Sequence, residues 1–219
     1  MRSVGGLLVL LLMLVTMGET VGKAEAIPPA QTGADIRFLE SANEVTRRIV
    51  MSPGYNREAA RNYADTWCRG RNPTYNCGYT ADCQNFLSQV LNAGYLPQLK
   101  CGDPWNWSCW WFTSCSDVSR SWYNVPTFNA HAQYWNGSRF SLRSSLYDLG
   151  VGDPMLSKCP GCSDWDHAAV YMGYGIAQEG TKQGQYTQLR SQHTTDRCRV
   201  WVWDYYPAGT QFRFWGVTW

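Results

Sequence analysis

The chain has 219 residues and a formal net charge of +2, with no Lys/Arg run, so it carries no electrostatic footprint for nucleic acid. Its twelve Trp and thirteen Tyr supply core volume and can line a site for flat or apolar ligands, including sugars. Nothing in the composition calls for a cofactor or a resident metal.

Residues 1–26 start with a basic Arg2, continue as an apolar run from Leu7 to Val15, and end in Ala24-Glu25-Ala26. That is the pattern of a cleaved secretory signal, and the run is well short of the ~20 residues a bilayer span needs. The expected setting is therefore secreted and extracellular, with no stable membrane insertion after cleavage. The remainder is long enough for one domain with a substantial core. Residues 27–54 read as a flexible leader followed by a helix with Ile36, Leu39, Val45 and Ile49 at helical spacing, broken at Ser52-Pro53-Gly54. The domain proper is expected over 55–219.

A second helix is expected over 55–67, with Asn56 as its cap and Ala59, Ala60, Tyr63, Ala64 and Trp67 on one face. After a Cys- and Asn-rich loop, Asp82-Cys83-Gln84-Asn85-Phe86-Leu87 opens a third helix, which stops at Ala93-Gly94. Residues 95–125 hold three cysteines and five tryptophans and read as a stapled insertion or lid. Trp105, Trp107, Trp110 and Trp111 could form a substrate wall there, or the insertion could pack on itself. From His167 onward the chain reads as β, with strands expected over 167–174, 185–193, 199–205 and 211–219. Helices first and strands afterwards predict an α+β domain.

Nine cysteines in an exported chain leave one over, and an odd thiol is either an intermolecular partner or a reactive group. Cys83 is the candidate. It stands in the first turn of a helix, where backbone N–H groups and the helix dipole favour a thiolate, while the other eight can form up to four disulfides. Cys159-Pro160-Gly161-Cys162 has no second CxxC to complete a zinc site and is expected to be a disulfide-tightened turn. The histidines are His131, His167 and His193. His167 opens a strand whose alternation puts Ala169, Tyr171 and Gly173 on its own face, and the small residues after His167 would let a helix approach that face closely. A thiolate–imidazolium pair between Cys83 and His167 would follow. His193 is the expected third group that orients the imidazole, with Asp196 and Gln192 as alternatives.

Taken in order, YNREAARNYADTW, RNPTYN, DCQNFLSQVLNAG, SWYNV, WDHAAVYMGYG and QHTTDR resemble the putative amidase domain of secreted bacterial proteins, across about residues 55–197. HAAVYMG is also similar to the His strand of the NlpC-type cell-wall cysteine peptidases. The resemblance implies a papain-like fold, with N-terminal helices on a C-terminal antiparallel sheet. It implies a nucleophile at Cys83, a base at His167 and a third polar residue at His193. Tyr79 lies near the position of a site tyrosine in the NlpC type, and Asp82 stands next to the nucleophile. The chain departs from the family in its disulfide content, its CPGC turn and the short segment Cys162-Ser163-Asp164-Trp165. The implied activity is thiol hydrolysis of amide bonds, with a peptide or cell-wall peptide as substrate. Two rival readings accompany it: a non-catalytic glycan- or peptide-binding module on the same fold, and a thiol acyltransferase or deamidase.

Overall fold

The computed structural model describes residues 54–219. The expected signal segment and the helix over 36–50 lie outside the described residues. Helix α1 (Arg57–Trp67) starts where the Asn56 side chain accepts from the Ala59 N–H at 2.9 Å, and it buries Ala60 and Ala64. Helix α2 (Cys83–Ala93) is buried along its length from Cys83 to Leu91 and stops at Gly94. A short hairpin follows, β1 (Phe112–Ser114) with β2 (Asp117–Val118), and then α3 (Arg120–Tyr123) and α4 (Val125–Tyr134).

The remaining strands form one antiparallel sheet: β3 (Phe140–Arg143), β4 (Pro154–Lys158), β5 (His167–Ile176), β6 (Tyr186–Gln192), β7 (Arg197–Trp201) and β8 (Gln211–Val217). Their order across the sheet is β3-β8-β4-β5-β6-β7, so β5 lies inside the sheet, its first residues paired with β4 and its stretch from Val170 to Ile176 paired with β6. Helices packed on an antiparallel sheet make this an α+β domain.

The alternation of β5 divides the core. Ala168, Val170 and Met172 face α2 and pack with Phe86, Leu87, Val90 and Leu91. Ala169 and Tyr171 belong to a second cluster with Leu146, Met155 and Val202. The helix therefore lies on the Ala168 face and not, as expected, on the face of His167. Ala168 is the small residue that lets α2 come close.

Four disulfides join Cys68–Cys198, Cys77–Cys115, Cys101–Cys109 and Cys159–Cys162, and Cys83 alone among the described cysteines is free. Cys68–Cys198 ties the end of α1 to β7 across 130 residues of sequence. The 95–125 segment is not a substrate wall throughout. Trp110 and Trp111 are core, while Trp105 and Trp107 are exposed. The core tryptophans satisfy the polar residues of α2: Trp110 Nε1 donates to Ser88 Oγ at 3.0 Å, and Trp122 Nε1 to Asn85 Oδ1 at 2.8 Å. A helix carrying Asn85, Ser88 and Gln89 can thus be buried without orphaned polar groups at those positions.

Candidate active site

Asp82 sets the start of α2. Its side chain makes no cap hydrogen bond to the helix. Instead Oδ2 takes Arg71 Nε at 2.8 Å and His193 Nδ1 at 2.5 Å, while Oδ1 accepts from Asn85 Nδ2 at 2.7 Å. The Asp82 N–H donates to Thr194 Oγ1 at 2.9 Å, so side chain and backbone together pin the first turn of α2 to the turn after β6. Replacing Asp82 with Ala leaves His193 and Arg71 without their shared anion. The expected cost is about 3 kcal/mol, read as a lower midpoint in chemical denaturation, since breaking a buried pair from one side strands the other partner. An unchanged midpoint would contradict this role.

Cys83 follows directly, its residue only 3% exposed. Burial pushes its thiol pKa up; backbone groups of Ala168 and Gln84 pull it down by less, and the Asp82 charge adds to the rise. The expected helix-terminal thiolate is thus not the resting form, because desolvation outweighs the amides at the helix start. The influence of the Ala168 backbone places the sulfur against the first turn-side residues of β5, next in sequence to His167.

His167 is half-buried and its pKa is lowered, first by desolvation and then by the Arg190 charge, while the Gln192 side chain and Asp166 favour the charged ring. Its Nε2 has no hydrogen-bond partner, and among the described residues no hydrogen bond joins either ring nitrogen to Cys83 Sγ. Tyr206 stands edge-on to the ring with centroids 6.5 Å apart, and the Cys83 charge, if formed, is felt by the Tyr206 phenol. Imidazole and phenol therefore meet at the start of β5, with the Cys83 sulfur near enough for its charge to reach the phenol. Burial holds both the thiol and the imidazole neutral near pH 7.

His193 is not the partner of His167. Its Nδ1 meets Asp82, its Nε2 meets the Trp67 carbonyl at 2.8 Å, and its ring stacks on Phe86 at 4.0 Å. The reason is strand parity. Arg190 pairs with Tyr171 and Ser191 with Val170, so Arg190 and Gln192 share the His167 side while Ser191 and His193 turn toward the helices. Gln192 is the polar neighbour of His167, and its amide is fixed at both ends: Oε1 accepts from Arg190 Nη1, and Nε2 donates to the Thr195 carbonyl at 3.1 Å.

Asp196 is likewise taken up elsewhere, in a two-pronged pair with Arg71 at 2.9 Å for each contact. Tyr79 stacks on Tyr123 at 5.0 Å, and its phenol is pushed up to about 12, mainly by burial. Cys159, Cys162 and Asp166 bring their ligand atoms within 4.8 Å of one another, but the two sulfurs are bonded to each other and offer no thiolate to a metal. Arg190 and Tyr206 are the site residues that the sequence did not reveal.

A buried free thiol at the head of α2 and an imidazole at the start of β5, its Nε2 without a partner, are the candidate reactive groups of this domain. Residues 54–216 match the model of the family described as "Putative amidase domain", and the chain belongs to that family. It is similar to "Uncharacterized protein YhbB" of Bacillus subtilis (strain 168), 28% identical over 176 residues that cover 78% of this chain and 52% of the relative. It is also similar to "Uncharacterized protein YjcM" of the same strain, 26% identical over 114 residues, covering 52% of this chain and 25% of the relative. The chain thus spans about half or less of the length of these curated relatives. No solved structure matches it significantly.

Proposed function

We propose that the chain is a secreted cysteine amidase or peptidase of papain-like, NlpC-type descent, acting on amide bonds of cell-wall peptides. The observation that carries this reading is the one free thiol, Cys83, at the head of a buried helix and against the strand that begins with His167. The family's amidase description supports the bond type.

In this reading the resting pair is neutral thiol and neutral imidazole. As Cys83 Sγ attacks the amide carbonyl carbon, its proton passes to the free Nε2 of His167, which burial keeps unprotonated. The carbonyl oxygen takes the negative charge, and the Cys83 backbone N–H at the start of α2 helps hold it. Collapse breaks the C–N bond, and the imidazolium returns the proton to the leaving amine. Water then hydrolyses the thioester with His167 as base. Gln192, clamped by Arg190 and Thr195, takes the orienting role first given to His193.

Pooled cell-wall peptides incubated with the wild-type protein are expected to yield new amino groups, counted by an amine-reactive dye. Cys83→Ser is expected to abolish that yield with its circular dichroism unchanged. No yield from the wild type, or an undiminished yield from the variant, would refute the assignment.

A further inference from the structure

On the His167 side of the sheet lies a cavity of 380 Å³ that His167 lines together with Arg190, Gln192, Thr195, Arg197 and Tyr206. Arg190 is 1% exposed, yet no carboxylate pairs with it. Its Nε donates to the Val202 carbonyl at 3.1 Å, Nη2 to the Asp204 carbonyl at 2.6 Å, and Nη1 to Gln192 Oε1. A guanidinium has five N–H donors, so one on each terminal nitrogen is left without a protein acceptor. The nearby Asp204 carboxylate is occupied with Thr181, one oxygen accepting from its backbone N–H at 2.9 Å and the other from its hydroxyl.

A buried cation held only by neutral oxygens is costly unless something else answers its charge. The Tyr206 ring covers one side of it at 4.5 Å. The Tyr206 hydroxyl is itself buried, with the Ser157 side chain near it but no well-aligned hydrogen bond, and burial raises its pKa, so it stays a donor at neutral pH. Arg197 adds a second cation at the wall, stacked on Tyr205 at 4.1 Å and only loosely paired with Glu179 at 3.7 Å. The one carboxylate at the rim, Asp166, is exposed and accepts from the Cys159 N–H at 3.0 Å.

We propose that this cavity is a carboxylate subsite, in which Arg190 and the Tyr206 hydroxyl bind a free carboxylate that the peptide substrate carries close to its scissile amide. The proposal rests on the amidase reading and narrows it. The substrate is acidic beside the cleaved bond, and a peptide blocked as its carboxamide is a poor ligand. A carboxylate there meets the spare Arg190 N–H donors and a Tyr206 hydroxyl with no well-aligned acceptor, and a charge-assisted pair of that kind is worth ~10-fold or more in affinity.

The test is binding without turnover, on the Cys83→Ala protein. A pool of N-acetyl dipeptides is offered once as free acids and once as C-terminal carboxamides, and retained members are identified by mass spectrometry. Retention of acids over carboxamides by about tenfold is expected, with that preference falling in Tyr206→Phe, which removes only the hydroxyl. Equal retention of both pools, retention of neither, or an unchanged preference in Tyr206→Phe overturns the subsite. If acids are preferred but the wild type cleaves no peptide, the amidase reading falls and the carboxylate site stands.

Discussion

His167→Ala is expected to lower kcat/KM for peptide amides by about 10³–10⁴, the range a positioned general acid–base group supplies. The neutral resting pair makes the loss severe. With the thiol pKa raised by burial, hardly any thiolate exists at pH 7 to attack unaided, so the imidazole is needed in the first step as well as for the leaving amine. Gln192→Ala should cost less, on the order of 10–100-fold, because it loosens the ring without removing the base. His193→Asn separates the two candidate third residues. Its ring serves Asp82 and Trp67, so its substitution should lower the denaturation midpoint more than kcat at a temperature where the variant is folded. If His193→Asn lost activity as His167→Ala does, with stability intact, His193 rather than Gln192 would be the residue that orients the His167 ring.

Acidification should destabilise the fold through a histidine remote from the chemistry. His131 is fully buried among Trp110, Phe128 and Phe140, its Nδ1 3.2 Å from the Trp107 carbonyl and its Nε2 without a partner. An Nδ1–H donated to that carbonyl leaves Nε2 bare, and a proton placed there would be a buried charge with no acceptor. Burial, with the Arg139 charge behind it, lowers the His131 pKa to about 3. The unfolded chain takes up a proton near the ordinary value of about 6.5, and the folded chain refuses it down to about 3. The unfolded state then binds more protons throughout this window, so stability is full above about pH 6.5 and falls as the pH drops toward 3. At ~1.4 kcal/mol per pH unit, the whole window amounts to about 5 kcal/mol. His131→Asn, whose amide can replace the Nδ1–H, should flatten this slope in urea titrations from pH 7 to 4. An equally steep slope in the variant would place the acid sensitivity elsewhere.

Much of the frame was legible because it rests on local rules. The Asn56 cap, the Gly94 stop and the alternation after His167 each have a mechanism that acts within a few residues, and the elements formed there. The spare cysteine was legible by counting, with the helix start singling out Cys83. What the residues alone did not disclose depends on parity and desolvation. His193 and Gln192 are adjacent in sequence, and a strand sends neighbours to opposite faces, so choosing between them required the register of β6 on β5. The helix-terminal position of Cys83 pointed to a thiolate, but the depth of its burial is set by α2 lying under the tryptophans, a tertiary fact. Arg190 reads in sequence as an ordinary polar strand residue, and Tyr206 falls in the connection between β7 and β8, with nothing local to mark either as part of a cavity wall.

The most direct measurement is the rate at which a peptidyl chloromethyl ketone alkylates the protein, with the modified residue located by peptide mapping, in the wild type and in His167→Asn. Alkylation at Cys83 alone, slowed ~100-fold or more by the histidine substitution, is the predicted result. Modification at Cys83 that proceeds equally fast without the imidazole, or none at Cys83 in the folded protein, would contradict a working thiol–imidazole pair.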